Sequence, residues 1–561
     1  MNKKWECYAV DENKVNELVN KFGISGILAR ILVNKNITQK DEIDLFMNPT
    51  RKDFHNPFLM PDMEIIVDRV LQAIEQKEKI MIYGDYDADG ITSITVLKSF
   101  LEERGLEVAS YIPNRLDEGY GLNKTALKKI YDDGYRLIIT VDCGISGIDE
   151  VDYANSLGME VLITDHHEPA ETLPKAVAVV DAKRKDNKYS FNQLAGVGVV
   201  FKLIQAISIK LGLEEKEYLK YLDIVCIGTI SDIVPLVDEN RVIAKLGLKL
   251  IAQTRNIGLK ALLEVIGFKN IDSTTISFGV APRINACGRM GDEQVALDLF
   301  LEKDYDKAKK LAIKLNEYNI ERQTIEKRIF DEATEKIEKN EKDKACIIVG
   351  SEGWHHGIIG IVASKVTEMY FKPSILICFE GNDGKGSGRS IPGFDLHDAL
   401  MECSDYLEKF GGHSMAVGVT VNRDKFELFK NKFEEYAKSH DIDKIIPVIN
   451  IDSELSLKNI DIDSVKSLQK LEPYGEANKM PVFMIRNLKI NSIRALSEGK
   501  HLKLTLKDDG YMINAIGFNM GNLSNEYLID DKVDVIGNLD INSFNGNESI
   551  QLILKDIRKA F

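Results

Sequence analysis

Cysteine is scarce in this 561-residue chain, and long apolar runs are missing altogether. The seven cysteines are scattered and none of them forms a CxxC pair, which argues against a zinc ribbon or a disulfide framework. No apolar stretch approaches the roughly 20 residues of a membrane span, and the opening MNKKWECYAVDENK has no signal-peptide apolar region. We therefore expect the chain to stay in a reducing cytoplasm.

The chain also lacks an excess of basic residues, since its formal net charge is −15. Such a charge ordinarily counts against a nucleic-acid partner, since phosphate contacts require lysine and arginine. Acidic metal ligands and acidic solvated helices can set the total, however, while basic residues line a local channel. Net charge therefore does not exclude a polyanionic substrate.

The length exceeds the size at which a single core keeps growing, so about two to four domains are expected. A hydrophobic share of 44% is ordinary for globular chains. The sequence contains no internal repeat and no low-complexity tract. It therefore predicts a multidomain enzyme with well-formed cores.

Four apolar runs each end in an aspartate. The stretch EVLITDHHEP places Asp165 after VLIT, and the runs IMIYG, RLIITV and DIVCIGTIS end at Asp85, Asp142 and Asp232. Runs of this kind are typical of strands covered on both faces, and the helical patterns between them predict βαβ units with a parallel sheet. Because ligands bind at the carboxyl edge of such a sheet, the four aspartates are expected to share one crevice. For EVLITDHHEP alone, a turn with solvated histidines is the alternative.

The stretch YGDYDADGITS adds carboxylates at Asp87 and Asp89. An EF-hand is excluded because its twelfth position, normally glutamate, is Val96. A helix cap would account for one aspartate, Asp89. The remaining acids would repel one another at close range unless cations or protons intervene. A pair of divalent metal ions is the economical explanation.

Oxygen-rich ligation with one or two imidazoles favours Mn²⁺ or Mg²⁺. Two such ions about 3.5–4 Å apart can activate a water and stabilise both the attacking and the leaving oxygen of a phosphate ester. Hydrolysis of a phosphoester is therefore the predicted reaction class.

The sequence pattern of the rest of the chain changes twice. The segment from 305 to 343 contains no glycine or proline and predicts one long helix, a solvated connector between lobes. A second α/β segment follows, and from about 447 short alternating runs predict a small β-barrel. The predicted domains are a helical cap over 1–50, a catalytic domain over 51–300, a connecting helix over 301–343, a substrate-binding domain over 344–445 and a single-strand-binding barrel over 446–561.

Taken in order, YGDYDADGITS, TVDCGIS, TDHHEP and GTISDIVPL resemble the successive motifs of the DHH phosphoesterase superfamily. Further along, FGVAPRINACGRMGD, WHHGIIGIVASK, GSGRSIPGFDLHDAL and FGGHSMAVG resemble its RecJ branch of single-strand-specific DNA exonucleases. The resemblance covers nearly the whole chain from about residue 51. It implies two α/β lobes, a DHH and a DHHA1 domain, joined by the long helix and followed by an OB-type barrel.

The resemblance also implies roles for single residues. The metal ligands would be Asp85, Asp87, Asp142, His166 and Asp232, with Asp142 as the bridge between two ions. His167 would lie behind them or near the scissile phosphate. Many superfamily members have a further histidine at the position of Met81, so one metal site would be weaker here, or completed by Asp89 or His167.

Further implied residues line the crevice. Asp89, His167, Arg283, Asn285 and Arg289 would be catalytic, and Arg115 would bind substrate, although surface ion pairs are the alternative for arginines. In the second lobe Ser387 and Arg389, with the backbone at Gly411 and Gly412 and with His413, would hold the terminal phosphate. Beside Trp354, His355 and His356 are expected to pack or to contact substrate rather than to bind metal.

The barrel offers possible strand contacts at Lys500, His501, Lys503, Phe518 and Phe544, each of which could equally be an ordinary strand residue. Its entry motif LEPYGEANKMPVF departs from the family at Ala477, where glycine is expected.

As a whole, the resemblance implies an exonuclease that degrades single-stranded DNA from the 5′ end to mononucleotides in DNA repair and recombination. Its partners would be single-stranded DNA, a single-strand-binding protein and a helicase, and the protein would be a monomer. A phosphodiesterase of short oligonucleotides or cyclic dinucleotides is one alternative. A non-catalytic replication scaffold is the other, but the acidic residues that such a protein loses are all present here.

Overall fold

The computed structural model describes residues 3–115, 117–268, 270–544 and 546–560. At the start of the chain a short strand, β1 (Lys4–Cys7), precedes three helices, α1 (Glu12–Phe22), α2 (Gly26–Asn34) and α3 (Lys40–Met47). Asp11 caps α1, because its side chain accepts hydrogen bonds from the backbone N–H groups of Asn13 and Lys14. This segment is therefore helical apart from one strand.

A parallel five-stranded sheet forms the centre of the first lobe, in the order β3-β2-β4-β5-β6. Its strands are β2 (Ile80–Gly84), β3 (Val108–Tyr111), β4 (Leu137–Val141), β5 (Glu160–Thr164) and β6 (Ala178–Val180), and the helices among them are α4 (Met63–Gln76), α5 (Ala88–Glu102), α6 (Lys124–Asp132) and α7 (Ile148–Ser156). β2 and β4 are buried along their whole length, which explains why their sequences are apolar without alternation. The predicted parallel sheet is confirmed.

Helices complete the first lobe. They are α8 (Gly196–Lys210), α9 (Lys216–Leu219), α10 (Leu222–Ser231), α11 (Asp238–Ile251), α12 (Ile257–Ile266), α13 (Ser273–Thr275), α14 (Ala281–Met290) and α15 (Gln294–Leu301), with a π-helical turn, Ile276–Val280, before α14.

The prediction that Asp232 ends a strand is wrong, because the preceding run forms helix α10. This helix is buried at every position from 222 to 230 and therefore has no polar face. A helix that is apolar all round gives the same sequence signal as a buried strand, and only its length of ten residues favours the helix.

A single long helix, α16 (Tyr305–Asn340), leaves the first lobe as predicted. Its buried residues recur at helical spacing, among them Ala308, Ala312, Leu315, Ile329 and Ala333. They pack against α12, α14 and α15 of the first lobe and α17 of the second. The helix is thus a packed connector between the lobes, not a solvated one.

The second lobe contains a mixed sheet in the order β10-β11-β9-β8-β7. Its elements are β7 (Ile347–Glu352), α17 (His356–Tyr370), β8 (Ser374–Glu380), β9 (Asp383–Arg389), α18 (Leu396–Met401), β10 (Lys409–His413), β11 (Ala416–Asn422) and α19 (Phe426–Ser439). Only the β7–β8 pair is parallel among the described strands of this sheet.

The last part of the chain is a closed β-barrel. Its elements are β12 (Val448–Ile451), β13 (Ser453–Glu454), α20 (Ile462–Ser467), β14 (Phe483–Leu496), β15 (His501–Asp508), β16 (Tyr511–Gly517), β17 (Lys532–Phe544) and β18 (Asn547–Lys559). The pairing of β14 with both β15 and β17 closes the barrel. Before β14, Ala477 has a left-handed backbone with φ 56°, which explains why the sequence pattern expects glycine there.

Two compact units result from this packing. One holds both lobes and consists of residues 56–232 and 247–447, and the other consists of the residues through 55, 233–246 and those from 448 onward. In the second unit, Leu28 and Leu32 of α2 belong to the same hydrophobic core as Phe483 and Leu504 of the barrel. All seven cysteines are free thiols, as predicted. None of the described helices combines the length and the apolar character needed to span a membrane.

Candidate metal centre and active site

The carboxyl edge of the parallel sheet carries the predicted acidic residues. Asp85 directly follows β2, Asp142 follows β4, and Asp165 and His166 follow β5. The backbone is tightly packed here, since a Cβ at Gly90 would lie 2.4 Å from the carbonyl oxygen of Asp85. A Cβ at Gly196, the first residue of α8, would likewise lie 2.5 Å from Asp142 Oδ1. Glycine at these two positions lets the ends of α5 and α8 approach the centre.

Three overlapping groups of side chains could each hold a metal ion, with ligand atoms within 4.8 Å of one another. They are Asp85 with Asp87 and Asp142, Asp89 with His166 and Asp232, and Asp142 with His166 and His167. His166 Nε2 lies 3.1 Å from Asp142 Oδ1 and 3.6 Å from Asp232 Oδ2. The structure therefore brings together all five residues implied as ligands, and Asp142 is shared between two groups.

The electrostatics of these groups call for a cation. Burial, followed by the charges of the neighbouring carboxylates, raises the pKa of Asp85, Asp89 and Asp142 well above the ordinary value. The same causes raise the pKa of Asp232 to about 7. Burial, with the nearby charge of His167, lowers the pKa of His166 to about 3, so its imidazole is neutral near pH 7.

Three buried atoms at this centre have no hydrogen-bond partner among the described residues, namely Asp85 Oδ1, Asp142 Oδ1 and His166 Nε2. Unpaired buried polar atoms are costly in a folded protein unless a ligand binds them. Four or more carboxylates and one neutral imidazole are a suitable donor set for Mn²⁺ or Mg²⁺. The centre thus fits a divalent metal ion.

Asp87 and Asp89 each accept backbone N–H bonds at the start of a helix, but of two different helices. Asp87 caps α5, accepting bonds from the backbone N–H groups of Asp89 at 2.9 Å and Gly90 at 3.0 Å. The expectation that Asp89 is that cap is wrong. Its carboxylate instead accepts bonds from the N–H groups of Gly196 at 2.6 Å and Val197 at 2.9 Å, at the start of α8. The two residues lie close together in sequence but face different partners.

Met81, which occupies the position of a family histidine, is 5% exposed and packs in an apolar core of the sheet. Asp85, Asp87 and Asp142 form a possible metal-binding group without a ligand from position 81. Both proposed substitutes, Asp89 and His167, lie in neighbouring groups.

Asp165 is the one strand-end aspartate to which the sequence interpretation gave no ligand or catalytic role, and the structure places it beside His167. It is fully buried, and its carboxylate accepts bonds from the N–H groups of Ile145 and His166 and from His167. His167 Nδ1 lies 2.8 Å from Asp165 Oδ1 and 3.1 Å from the hydroxyl of Tyr120. Burial lowers the pKa of His167, but its hydrogen bond with Asp165 and the charge of that group raise it by more. The sequence signal that could have indicated this contact is the position of Asp165 directly before His166 and His167.

Three of the implied arginines, Arg115, Arg289 and Arg389, interact electrostatically with one another. Burial, followed by the positive charges of Arg115, Arg322 and Arg389, lowers the pKa of Arg289 to about 10. The Arg115 guanidinium lies 4.8 Å from the ring centre of Tyr86, and Arg289 Nη1 donates to the carbonyl of Gly357 at 2.8 Å. Arginines from both lobes therefore form one cationic cluster, which suits an anionic ligand.

Arg283 and Asn285 make structural contacts. Arg283 donates to Asn316 Oδ1 at 3.0 Å and to the carbonyl of Gly279 at 2.7 Å, which ties α14 to α16. Asn285 Oδ1 accepts a bond of 2.8 Å from the N–H of Ala88, the first residue of α5. Asn285 thus holds the loop that carries the first aspartates.

Four of the implied residues of the second lobe lie on one face of its sheet. Arg389 Nη1 donates to Ser387 Oγ at 3.1 Å, and a Cβ at Gly360 of α17 would lie 3.0 Å from the same hydroxyl. Across the paired strands, Ser387 is in register with Gly418 and Gly411, while Arg389 is in register with Ala416 and His413. Residues in register lie on the same face of the sheet. On that face Gly418 lies between Ser387 and Gly411, and Ala416 lies between Arg389 and His413. Gly412, with φ 132°, lies between Gly411 and His413.

The remaining predicted contacts are local. Trp354 is buried and donates to Glu332 Oε2 at 2.8 Å, and the side chain of His355 caps α17 by accepting a bond from the N–H of Gly357. In the barrel, His501 Nδ1 accepts from the N–H of Asn519 and packs edge-on against Phe518. Lys503 lies on β15 and Lys500 in the loop before it. The side chain of Phe544 lies outside the described part of the structure.

Comparisons with known proteins cover the whole chain. Three family models match: "DHH family, N-terminal domain" over residues 79–229, "DHHA1 domain" over 343–439 and "RecJ OB domain" over 451–556. The single-stranded-DNA-specific exonuclease RecJ of Bacillus subtilis is 38% identical over 559 residues, which is 99% of this chain and 70% of the relative.

Solved structures agree. The crystal structure of RecJ from Thermus thermophilus in complex with Mn²⁺ has a TM-score of 0.85 at 29% identity, covering 100% of this chain and 80% of that one. Its Mg²⁺ complex has a TM-score of 0.80 at 27% identity, covering 100% and 79%. On this sequence identity, these three family models and this shared fold, the chain belongs to the RecJ family.

Proposed function

We propose that this protein is a metal-dependent exonuclease that degrades single-stranded DNA from the 5′ end to mononucleotides, in DNA repair and recombination. The observation that carries the proposal is the cluster of buried, unpaired carboxylate and imidazole atoms after β2, β4 and β5. Such a centre has no evident use in a non-catalytic scaffold. The relatives that match nearly the whole chain are named single-stranded-DNA-specific exonucleases.

We assign Asp85, Asp87, Asp142, His166 and Asp232 as the residues that would hold two divalent ions, and Asp142 belongs to two of the three possible ligand groups. When bound, Mn²⁺ or Mg²⁺ would supply an activated water and charge stabilisation for the phosphodiester. The protein's own contribution is to hold the ligands rigidly. Asp165 fixes the ring of His167 through the bond at Nδ1, and the raised pKa of His167 favours the cationic form, which suits a position near the scissile phosphate.

An exonuclease must recognise a strand end, and the arginine cluster supports this function. A terminal phosphate offers more charge and more oxygens than an internal one, and a guanidinium can bind it bidentately. We assign Arg115, Arg289 and Arg389 to this phosphate, with Ser387 as a further donor and with Gly411, Gly412 and His413 along the same sheet region. Arg283, Asn285 and Asp89 would act by positioning the helices around the centre.

Other features of the proposal follow from the sequence. We propose the division into a cap, a DHH domain, a connecting helix, a DHHA1 domain and an OB barrel at the boundaries predicted above. We further propose that the protein acts as a monomer in the cytoplasm, with a single-strand-binding protein and a helicase as partners.

The decisive experiment incubates the protein with Mn²⁺ or Mg²⁺ and four substrates: single strands labelled at either end, blunt duplex and a cyclic dinucleotide. The proposal expects a 5′ label to be released at once as a mononucleotide, while a 3′ label appears only in progressively shorter strands. Duplex and cyclic dinucleotide should remain intact. Preferential cleavage of the cyclic dinucleotide would favour the phosphodiesterase alternative, and no cleavage of any substrate would favour the scaffold.

A further inference from the structure

A lysine-lined cavity of about 640 Å³ opens in the unit that contains the barrel. Four lysines line it, Lys3, Lys35, Lys479 and Lys555, against one carboxylate, Asp452. It shares no residue with the metal centre, the arginine cluster or the barrel contacts predicted from sequence. In a chain of net charge −15, such a concentration of lysines needs an explanation.

The lysines are poorly compensated. Among the described residues, Lys3, Lys35 and Lys555 form no ion pair, and Lys479 has only Glu476 at 3.8 Å. Lys35 donates to the carbonyl of Ala477 at 3.3 Å. Asp452 is the one carboxylate among the described residues that line the cavity, and its charge acts on both Lys35 and Lys555. Four ammonium groups against one carboxylate leave the cavity with an excess of positive charge.

Burial and mutual repulsion act on these ammonium groups. Burial, followed by the charges of Lys479 and Lys3, lowers the pKa of Lys555. Burial also lowers the pKa of Lys35, with a contribution from Arg241 that the charge of Asp452 opposes. An anion bound in the cavity would relieve this repulsion.

Exposed apolar side chains line the rim of the cavity beside the lysines. The side chains of Tyr8, Val448 and Met480 are 48%, 47% and 42% exposed, although all three line it. Exposed aromatic and thioether surface beside lysines suits an unpaired base next to its phosphates, because an unpaired base presents an open face. A duplex hides those faces, and inorganic phosphate would not use the apolar rim.

We propose that this cavity binds a segment of single-stranded nucleic acid, with backbone phosphates at the lysines and a base against Tyr8 and Met480. This inference rests on the proposed function and adds to it a second strand-binding site, built from β1, α2, β12 and β18. Its role is to retain a long strand, so very short oligonucleotides do not need it.

The test measures binding of a fluorescent 30-nucleotide strand by full-length protein carrying Asp142→Asn, which prevents cleavage, over a range of salt concentrations. Lys35→Gln with Lys555→Gln removes two cavity charges. Each phosphate contact in a single strand contributes about 0.7 to the slope of log affinity against log salt. We expect the slope to fall by about 1.4, and affinity in 0.1 M salt to fall about tenfold or more.

Two control pairs accompany this variant. Lys458→Gln with Lys532→Gln removes the same charge from positions outside the cavity in the same unit and should leave the slope within about 0.3 of the parent. Lys35→Arg with Lys555→Arg keeps the charge and should bind the strand as the parent does, which separates charge from loss of fold.

Three results would overturn the inference. One is an unchanged slope in the cavity variant, and another is an equal loss in the control outside the cavity. The third is that an acidic hexapeptide binds the parent and loses affinity in the cavity variant while strand binding stays the same. Cleavage of a five-nucleotide strand by the same lysine variants with Asp142 restored tests the proposed function separately. If the parent does not cleave that strand, the proposed function fails; if only binding is unaltered, the second site fails.

Discussion

Asp142 combines a left-handed backbone, with φ 58°, with a buried side-chain oxygen, Oδ1, that lacks a hydrogen-bond partner among the described residues. The conformation costs a non-glycine residue about 1 kcal/mol or more. Backbone strain and an unpaired buried polar atom at the same residue are typical of a functional site, because neither helps the protein to fold.

The first prediction is that Asp142→Asn abolishes hydrolysis and stabilises the metal-free protein. Asparagine keeps the shape and tolerates the left-handed backbone, but it removes one of several repelling carboxylates. We expect kcat to fall by at least about a thousandfold, since a shared ligand is lost. In EDTA at pH 7.5 the free energy of unfolding should rise by about 1 kcal/mol or more, because each unit of raised pKa corresponds to about 1.4 kcal/mol. Single-turnover cleavage and thermal unfolding measure the two effects, and near-normal turnover would refute the two-metal assignment.

Arg389 provides a second test at the scale of the residue. Arg389→Ala should reduce kcat/KM much more for strands with a 5′ phosphate than for strands with a 5′ hydroxyl. A charged hydrogen bond of this kind contributes roughly 1.5–3 kcal/mol, or about tenfold to a hundredfold in rate. The measurement compares two oligonucleotides that differ only at that end, with Arg423→Ala, an exposed arginine of the same lobe, as the control. Equal losses on both strands would place end recognition elsewhere.

At the scale of the element, the long helix α16 does more than separate the lobes. Glu326, on its buried side, is only 4% exposed and forms ion pairs with Arg322 of the same helix and Lys365 of α17. The pairs therefore join the connector to the second lobe. Charged groups at such a position keep their orientation only while every partner is present.

The third prediction follows from this arrangement. Glu326→Ala should lower the free energy of unfolding by about 3–5 kcal/mol, because it leaves Arg322 and Lys365 without their shared carboxylate. Glu335→Ala, at an exposed position of the same helix whose pair with Lys339 is also exposed, should cost less than about 0.5 kcal/mol. Chemical denaturation measures both. Similar losses in the two variants would contradict the role of the buried pair.

At the scale of the whole molecule, stability is linked to metal binding and pH. The fourth prediction is that Mn²⁺ raises the melting temperature much more at pH 7.5 than at pH 5. Four carboxyl groups of the metal centre have a raised pKa in the folded protein, so between about pH 4 and 7 they bind more protons in the folded state than in the unfolded state, and their contribution to stability falls as pH rises. The depressed pKa of His166 acts in the opposite direction but is a single group. The four groups are Asp85, Asp89, Asp142 and Asp232.

Calorimetry with Mn²⁺ and with EDTA at the two pH values measures this difference. The expected excess gain at pH 7.5 is a few degrees, at no more than about 2 °C per kcal/mol, because the shift per kcal/mol becomes smaller as the unit becomes larger. In Asp142→Asn the excess should shrink, because one of the coupled carboxyl groups is absent. An equal metal-induced gain at both pH values would contradict the linkage.

The fifth prediction concerns removal of the barrel after residue 447. Strand contacts would be lost, so the apparent KM for long single strands should rise while cleavage of very short oligonucleotides persists. Leu28 and Leu32 of α2 share a core with Phe483 and Leu504, so the truncation should also expose the first helices. Limited proteolysis should then cut between residues 12 and 47 before it cuts the lobes. Continued protection of this segment, or unchanged affinity for long strands, would contradict the prediction.

Much of this architecture could be predicted from local patterns. Buried parallel strands produce continuous apolar runs, and α16 produces a long run of helical spacing without glycine or proline, because both patterns depend on neighbouring residues only. The aspartates after β2 and β4 could be assigned to one edge for the same reason, since parallel strands share a direction. Helix α10 could not be predicted in this way, because it is buried on all sides. A buried helix and a buried strand both produce a continuous apolar run in the sequence.

What the tertiary structure alone decided are the contacts between residues far apart in the chain. Asp89 accepts a bond at the start of α8 and does not cap α5, the helix in whose first turn it lies. Arg283 connects α14 to α16. Arg115 and Arg389, from separate elements, both act on the pKa of Arg289. The lysine cavity likewise joins Lys35 to Lys555 across most of the chain. Sequence separation carries no information about such distances, because packing of whole elements sets them after each element has formed.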